Sequence, residues 1–502
     1  MLSRINFKSV NMTKKNKTIG NSGIKRREFF KRSAALGALS FLTPVSNVLG
    51  ANNRLRLAVC GVNGRGNGLM RSFASQDNVE IAWIIDPDKI LLVRRGQEMR
   101  EETGKMPKLS TDVRHALDDP NVDGIVVATP NHWHSLMVIW AAQAGKHCFV
   151  EKPASHDFYE GRVALEAARK YGVVVQHGTQ RRSDPRYADL IKTIHSGRYG
   201  KLAVTHAFAS KPRSGIGHSQ PSDPPPWLDW NMWRGHAMIE RYHENFVHYD
   251  WHWFWVTGNG DLNNQGTHQL DVAFWSLDPE MHGVHPSRVM SLGGRYAWDD
   301  QGETPNTQFS IAEYPNGQIV LMNIRNVDHD GYERRVENRY YFEDGGMIIG
   351  DEYITPDGER EPLDLETADI TPGGNTGSFV NCCRVGDPEM VNAGMFEGHY
   401  SSALGHLMNI SYRLGQEKPF SEEVISFGNP MNQMVEEQFN WFHSVMRDGV
   451  GLNQNNTHYR VGPWLTFDSD SEKFTGEYAN NANTLLRNPR RSGFDIPEPD
   501  KV

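Results

Sequence analysis

The sequence predicts an α/β protein in two parts, and three observations carry that reading. Between Arg54 and Gln176, short apolar runs alternate with helix-periodic segments, the pattern of a parallel sheet wound by helices. The polar clusters of this stretch fall at the carboxyl ends of its strands, where open parallel sheets bind ligands. After about Gly178 the alternation gives way to successive strand patterns, which points to an α+β part with a mostly antiparallel sheet.

Arg54–Cys60 is an apolar alternating run that predicts the first strand. Gly61-Val62-Asn63-Gly64-Arg65-Gly66 follows it, then a helical pattern over Asn67–Ser75 and a second apolar run, Val79–Ile85, closed by Asp86. This is a βαβ unit of dinucleotide-binding (Rossmann) type: the glycine turn lets the backbone approach a pyrophosphate at the helix N-terminus, and the terminal acid can bind ribose hydroxyls. Asn63 stands where the middle glycine of the G-x-G-x-x-G pattern is expected. Asp86-Pro87-Asp88 sets two carboxylates where a 2′-phosphate would lie, which favours NAD over NADP. Further on, Asp123–Ala128 is a strand ending at Thr129-Pro130-Asn131, Ser135–Ala144 a helix, and Lys146–Val150 a strand ending at Glu151-Lys152-Pro153. Phe158–Tyr171 is a helix and Val173–Gln176 a strand.

In the second part, Asp184–His195 reads as a helix and Leu202–Ala209 as a strand. A Pro-rich loop and an aromatic stretch from Trp227 to Trp255 follow. Leu262–Ser276 is helical with an interruption at Gly266. Arg288–Ala297, Thr307–Tyr314 and Gln318–Ile324 are strands, the last two joined by the hairpin turn Pro315-Asn316-Gly317. Leu404–Leu414 and Asn432–Met446 are late helices, and residues 355–398 carry no assignable pattern.

The chain has 502 residues, 53 Lys+Arg against 61 Asp+Glu, and 4 Cys. Four cysteines in this length exclude a disulfide scaffold, and no apolar run approaches the ~20 residues of a membrane span. Residues 1–50 hold ten of the basic residues and one acid, Glu28, which leaves the remainder at net −17. An acidic body excludes nucleic acid as the main partner. The basic segment includes Lys25-Arg26-Arg27-Glu28-Phe29-Phe30-Lys31, which resembles the twin-arginine export motif, and a short apolar stretch, Ala34–Leu42, follows. The expectation is an exported, periplasmic protein with a signal over residues 1–50, cleavage near Gly50 or Ala51, and Met12 as an alternative start. The domain division is then 1–50 signal, 51–178 Rossmann domain, and 179–502 α+β substrate and oligomerisation domain.

The glycine loop, Thr129-Pro130-Asn131-His132-Trp133-His134, Glu151-Lys152-Pro153 and Gly266-Thr267-His268-Gln269-Leu270-Asp271 resemble the Gfo/Idh/MocA (glucose–fructose oxidoreductase/inositol dehydrogenase) family, from about Arg54 to at least Ile324. Gly178–Arg182, Trp233-Arg234-Gly235 and Trp251–Trp255 look like its exported bacterial branch. The resemblance implies a Rossmann domain beside a domain with a large open sheet, hydride transfer on sugars or polyols, and dimers or tetramers packed through that sheet.

On this reading the catalytic residues are Lys152, at the substrate oxygen and cofactor ribose, and His268, the general acid/base. Asn264 shares a helix face with His268 and stands where relatives often carry an acid. Cofactor contacts are expected from Gly61, Asn63, Gly64, Arg65, Gly66, Asp86, Thr129, Pro130, Asn131, His134, Glu151, Lys152, Gln180, Trp233 and Arg234. Arg181, Arg182, Asn264 and Asp271 are expected at the substrate. His132 is expected to touch cofactor or substrate. Glu244, His248 and His252 are read as pocket wall, with no metal site, and about two of the six tryptophans at 227, 230, 233, 251, 253 and 255 are expected to line the site. Export implies a cofactor carried tightly bound and reoxidised in place. The main expectation is an NAD-dependent oxidoreductase on a carbohydrate; a glycosidase or epimerase using NAD transiently, and a non-catalytic sugar-binding protein, are the alternatives.

Overall fold

A computed structural model describes residues 54–420 and 432–502. The twin-arginine segment, its apolar stretch and the expected cleavage site lie outside the described residues.

The first sheet has strands β1 (Leu55–Cys60), β2 (Val79–Ile85), β3 (Lys108–Ser110), β4 (Gly124–Val127), β5 (His147–Val150) and β6 (Val175–His177). They are parallel in the order β3-β2-β1-β4-β5-β6. The connecting helices are α1 (Gly64–Ala74), α2 (Lys89–Thr103), α3 (Arg114–Leu117), α4 (Asn131–Gln143) and α5 (Phe158–Tyr171). Strand order reverses between β1 and β4, which opens a crevice at their carboxyl ends. The apolar run of β1 is buried on both faces, as a parallel strand between helix layers must be. Cys60 ends that strand with no exposure.

Two helices begin earlier than their sequence patterns indicate. Helix α1 starts at Gly64, inside the glycine loop, and α4 starts at Asn131, directly after Pro130. Proline's fixed φ suits the entry to a helix and its missing N–H costs nothing there. His132, Trp133 and His134 therefore occupy a helical turn, not a loop.

The second sheet has twelve strands among the described residues. Its first member, β7 (Leu202–Ser210), follows helix α6 (Pro185–His195). Short helices α7 (Trp230–Arg234) and α8 (Gly260–Asn263) and helix α9 (Gly266–Ser276) precede β8 (Arg288–Gly294), β9 (Thr307–Glu313), β10 (Ile319–Arg325), β11 (Arg335–Phe342), β12 (Met347–Ile349), β13 (Glu352–Ile354) and β14 (Arg360–Pro362). Helices α10 (Gly374–Val385) and α11 (Met395–Arg413), strand β15 (Gln416–Pro419), helix α12 (Asn432–Ser444), strands β16 (His458–Val461), β17 (Leu465–Asp468) and β18 (Lys473–Thr475) and helix α13 (Ala479–Thr484) complete it. The order is β14-β13-β12-β11-β7-β10-β9-β8-β16-β15, with β17 against β8 and β18. Pairing is antiparallel except between β7 and β10. The β9–β10 hairpin turns at Gly317, whose φ of 90° is open to glycine.

One face of this sheet packs on α9 and α11, which meet α5 of the first domain in a shared core including Phe274, Leu404, Leu407, Val163 and Met322. Helix α12 covers part of the other face through Val435, Phe439 and Phe442. The stretch without assignable pattern holds β14 and α10, and α10 returns to the first sheet: Phe379, Val380, Cys382 and Cys383 pack against Phe73 and Phe149. Residues after α13 do the same on the opposite side, where Phe494 meets Trp133 edge-on at 5.5 Å. The described residues thus make one compact unit.

Arg490 anchors that final segment. Its guanidinium pairs with Glu160 and Asp157, and the three side chains are 6%, 0% and 3% exposed. Removing one partner of a buried ion group leaves uncompensated charge, at a cost of roughly 3–5 kcal/mol. Arg490→Ala is expected to lower the urea midpoint correspondingly, and a midpoint unchanged from the parent would show that the segment is not clamped through this residue.

Candidate active site

The crevice at the switch point is a cavity of about 460 Å³. The glycine loop forms one wall. Gly61 has φ +76°, and a Cβ there would strike the Ala128 carbonyl 2.6 Å away. A Cβ on Gly66 would collide with the Gly61 carbonyl oxygen, so both glycines are required by the turn itself. Gly64 has open space where its Cβ would be, and the Asn63 side chain makes no capping bond to α1. The N-terminal amides of this eleven-residue helix are left for an anionic ligand.

Asp86 ends β2 beside this loop. Its Oδ2 accepts from the Val62 amide at 2.8 Å and its Oδ1 from the Asp88 amide at 2.9 Å. Burial raises its carboxyl to about 6; the two amides and His248 limit the rise. His248 Nε2 lies 3.1 Å from Asp88 Oδ2. The segment between β7 and α8 is pinned here, since the Lys89 amide donates to the Trp227 carbonyl and the Asp229 amide to the Pro87 carbonyl.

Past β4, Thr129, Pro130 and Asn131 line the cavity. Thr129 Oγ1 is buried without a hydrogen-bond partner, which fits a site for a polar ligand such as a dinucleotide. Asn131 is turned partly away, its Nδ2 donating to Asn259 Oδ1 at 3.1 Å. His134 lines the wall, but its ring nitrogens lie 2.6 and 2.9 Å from the Pro153 and Thr129 carbonyls, so it props the strand end. His132 lies behind the wall, with Nε2 at the Trp233 carbonyl, and does not reach the ligand space as the sequence suggested.

At the end of β5, Glu151 accepts from Arg65 Nε at 2.6 Å, which joins the strand to the glycine loop. Lys152 is therefore not spent on its neighbour. Its Nζ donates to the backbone oxygen and Oδ1 of Asn264 at 3.0 and 2.9 Å. Burial pulls the Lys152 amine below its ordinary range, against the opposing pull of Glu151 and Asp261. Asn264 sits in a break between α8 and α9, not on a continuous helix face with His268. The break exists because Asp261 Oδ1 accepts from both Asn264 Nδ2 and the Gln265 amide. His268 follows in α9 and lines the same cavity. Burial first, then the charges of Lys152, Arg65 and Arg181, hold it well below the ordinary histidine range.

Gln180 and Trp233 line the cavity, and of the six tryptophans Trp233 and Trp251 do so. His248 and His252 are wall residues; Glu244 is exposed and outside it. Four further expectations are corrected. Arg182 and Asp271 form a buried pair at 2.9 Å beneath α9, because each needs the other's charge once away from water. Arg181 stacks on Tyr187 with its guanidinium 4.4 Å from the ring centre, outside the cavity. Arg234 donates to the Ile239 carbonyl and closes its own loop.

Lys211, Arg213, Tyr249 and Gln265 line the cavity without having been anticipated. Arg213 donates to Asp261 Oδ1 and Tyr249 Oη, both at 2.9 Å. Lys211 and Arg213 follow directly on β7, so the rule that located the other polar clusters, polar residues just past a strand end, would have found them.

These features define a class: an α/β protein whose crevice pairs a pyrophosphate-type glycine turn and a ribose-type acid with a half-buried lysine and histidine. A family model described as "Oxidoreductase family, NAD-binding Rossmann fold" (Gfo/Idh/MocA) matches residues 55–179. Inositol 2-dehydrogenase of Mycolicibacterium smegmatis is 31% identical over 302 residues, 59% of this chain and 72% of that protein. The NAD-dependent scyllo-inositol 2-dehydrogenase of Bacillus subtilis is 34% identical over 157 residues, 31% of this chain and 44% of that one. Across the first relatives found, matches span about half of the relative's length or less, 35–56%. The WlbA dehydrogenase of Bordetella pertussis, solved with NADH and UDP-GlcNAcA, shares the fold, with TM-score 0.52 and 20% identity over 72% of this chain and 97% of that one. The chain belongs to the Gfo/Idh/MocA family, and its first domain is an NAD-binding Rossmann fold.

Ribose hydroxyls donate best to an ionised carboxylate. Because Asp86 protonates near 6, NAD affinity is expected to be full above that pH and to weaken as pH falls through it. Asp86→Asn should weaken binding by roughly 10–100-fold and flatten the pH dependence. Titration with NADH from pH 5 to 8 checks this; a wild-type Kd that does not change over the range would remove Asp86 from the ribose.

Proposed function

We propose that this protein is an exported NAD-dependent oxidoreductase that oxidises or reduces a CH–OH group of a sugar, polyol or glycoside. The observation that carries the reading is the Lys152 amine, held by Asn264 in the cavity that also contains the glycine loop, Asp86 and His268.

NAD, when bound, supplies the hydride acceptor. The chain supplies the proton chemistry. Two N–H groups of Lys152 point at Asn264, so the neutral amine keeps its lone pair for a substrate hydroxyl proton, and the ammonium keeps a third N–H for the carbonyl oxygen. The lowered basicity of this lysine makes the neutral form accessible nearer neutral pH. His268, half-buried and held well below the ordinary histidine range, lines the same cavity and is the candidate group to take that proton on. Trp233 and Trp251 offer apolar faces to sugar C–H groups. The twin-arginine segment supports export of the folded protein with NAD already seated, and hence tight cofactor retention.

Lys152→Ala is expected to reduce kcat by ~10²–10⁴-fold while NADH still binds; turnover equal to the parent's would overturn the assignment. Asn264→Asp adds a negative charge at Lys152 Nζ, so the rising limb of the kcat/KM pH profile should move to higher pH. Mass spectrometry of nucleotide released on denaturing the purified protein tests retention: stoichiometric NAD or NADH supports it. Product analysis tests the reaction. A ketone or polyol product is expected, whereas free sugar with no net redox change would replace this reading with a glycosidase using NAD transiently.

A further inference from the structure

We propose a second site, a divalent-metal site of His₂–carboxylate type formed by His285, His399 and Glu472, with zinc as the fitting ion. The three lie outside the dinucleotide cavity. His285 precedes β8, His399 is in the second turn of α11, and Glu472 is in the tight turn between β17 and β18. One ligand atom from each falls within 4.8 Å of the others.

The chemistry of the cluster argues for a cation. His399 has no exposure, and neither of its ring nitrogens has a hydrogen-bond partner; Nε2 of His285, itself 2% exposed, has none either. Two buried imidazoles that each turn one nitrogen toward the same carboxylate, with no hydrogen-bond partner for those nitrogens, are a costly arrangement unless something accepts a lone pair from each. His285 Nε2 stands 3.7 Å from Glu472 Oε1, near the ~3.4 Å that separates ligands of a tetrahedral zinc with bonds of ~2.0–2.1 Å. The widest pair, up to 4.8 Å apart, must close by as much as about 1.4 Å on binding. Two imidazoles and a carboxylate form a zinc donor set in which water takes the fourth position. The Glu472 side chain is 22% exposed, which leaves an entry path.

Glu472 adopts φ 51°, left-handed for a residue other than glycine. Such strain needs a compensating interaction, and a metal bond to its carboxylate would be one. Arg162 lies 3.4 Å from Glu472 Oε1 and competes for it, but it also holds Glu166 at 3.0 Å and keeps that partner when Glu472 turns to the ion. The bound ion would clamp the β17–β18 turn to α11 and the β8 entry, joining three segments far apart in sequence.

The test uses the purified full chain, equilibrated with zinc chloride, desalted, and measured for metal by inductively coupled plasma mass spectrometry and for Tm. One zinc per chain is expected, with a Tm rise that EDTA reverses. Glu472→Gln keeps shape and needs no core repacking, and should lower zinc affinity by ~10–100-fold or more and abolish the Tm response, while NADH binding is unchanged. His285→Gln should do the same. No retained zinc, or equal zinc in the parent and in both variants, overturns the site; the histidine nitrogens would then be satisfied by water.

Discussion

Asp261 is a carboxylate with no solvent exposure, and the active-site geometry depends on it. An ionised group so placed has to be surrounded by donors. Arg213, the Asn264 and Asn326 side chains and the Gln265 amide supply them. Those contacts break the helix between α8 and α9, and the break turns the Asn264 oxygens toward Lys152. A continuous helix there would hold its carbonyl within its own ladder. The strand-end lysine of one domain is thus positioned by a buried charge in the other.

A similar exchange operates at the ribose end. The loop after β7 is tied by backbone bonds to Pro87 and Lys89, next to Asp86, and it brings His248, Tyr249 and Trp251 over the crevice. Its own aromatic cluster, including Trp233, Phe246 and Phe254, gives it a core of its own. The wall facing the nucleotide-binding sheet is therefore a rigid packed body. The final segment and α10 add two further returns to the first sheet. The shared cores make both domains contributors to one site.

The first domain was legible because its signals are local. A glycine turn, the acid at the next strand end and the polar residues after each strand occur in fixed order, and parallel strands buried on both faces read as apolar runs. Lys152 and Asp86 come from such positions. Arg182 and Asp271 were misplaced because charged residues near a site also satisfy one another, and their 89-residue separation hides the pairing. Lys211 and Arg213 are harder to read from sequence because β7 lies in a mostly antiparallel sheet, although it pairs in parallel with β10. The unassigned stretch at residues 355–398 holds α10, whose glycines and polar residues weaken the helical pattern while its packing on Phe73 and Phe149 sustains it.

By itself the sequence determined the α/β class, the order of the βαβ units and the NAD-type loop with its acid; Lys152 and His268 were singled out by the family resemblance, not by spacing. The first three follow from spacing along the chain, because backbone sterics and burial act over a few residues. Which charge pairs with which, where helices break, and which distant segments close the cavity were decided only in three dimensions. Buried polar groups must find partners, and those of Lys152 and Arg490, with the Arg213 and Asn326 partners of Asp261, lie tens to hundreds of residues away. Sequence periodicity has no memory over that range, so only the packed structure selects them.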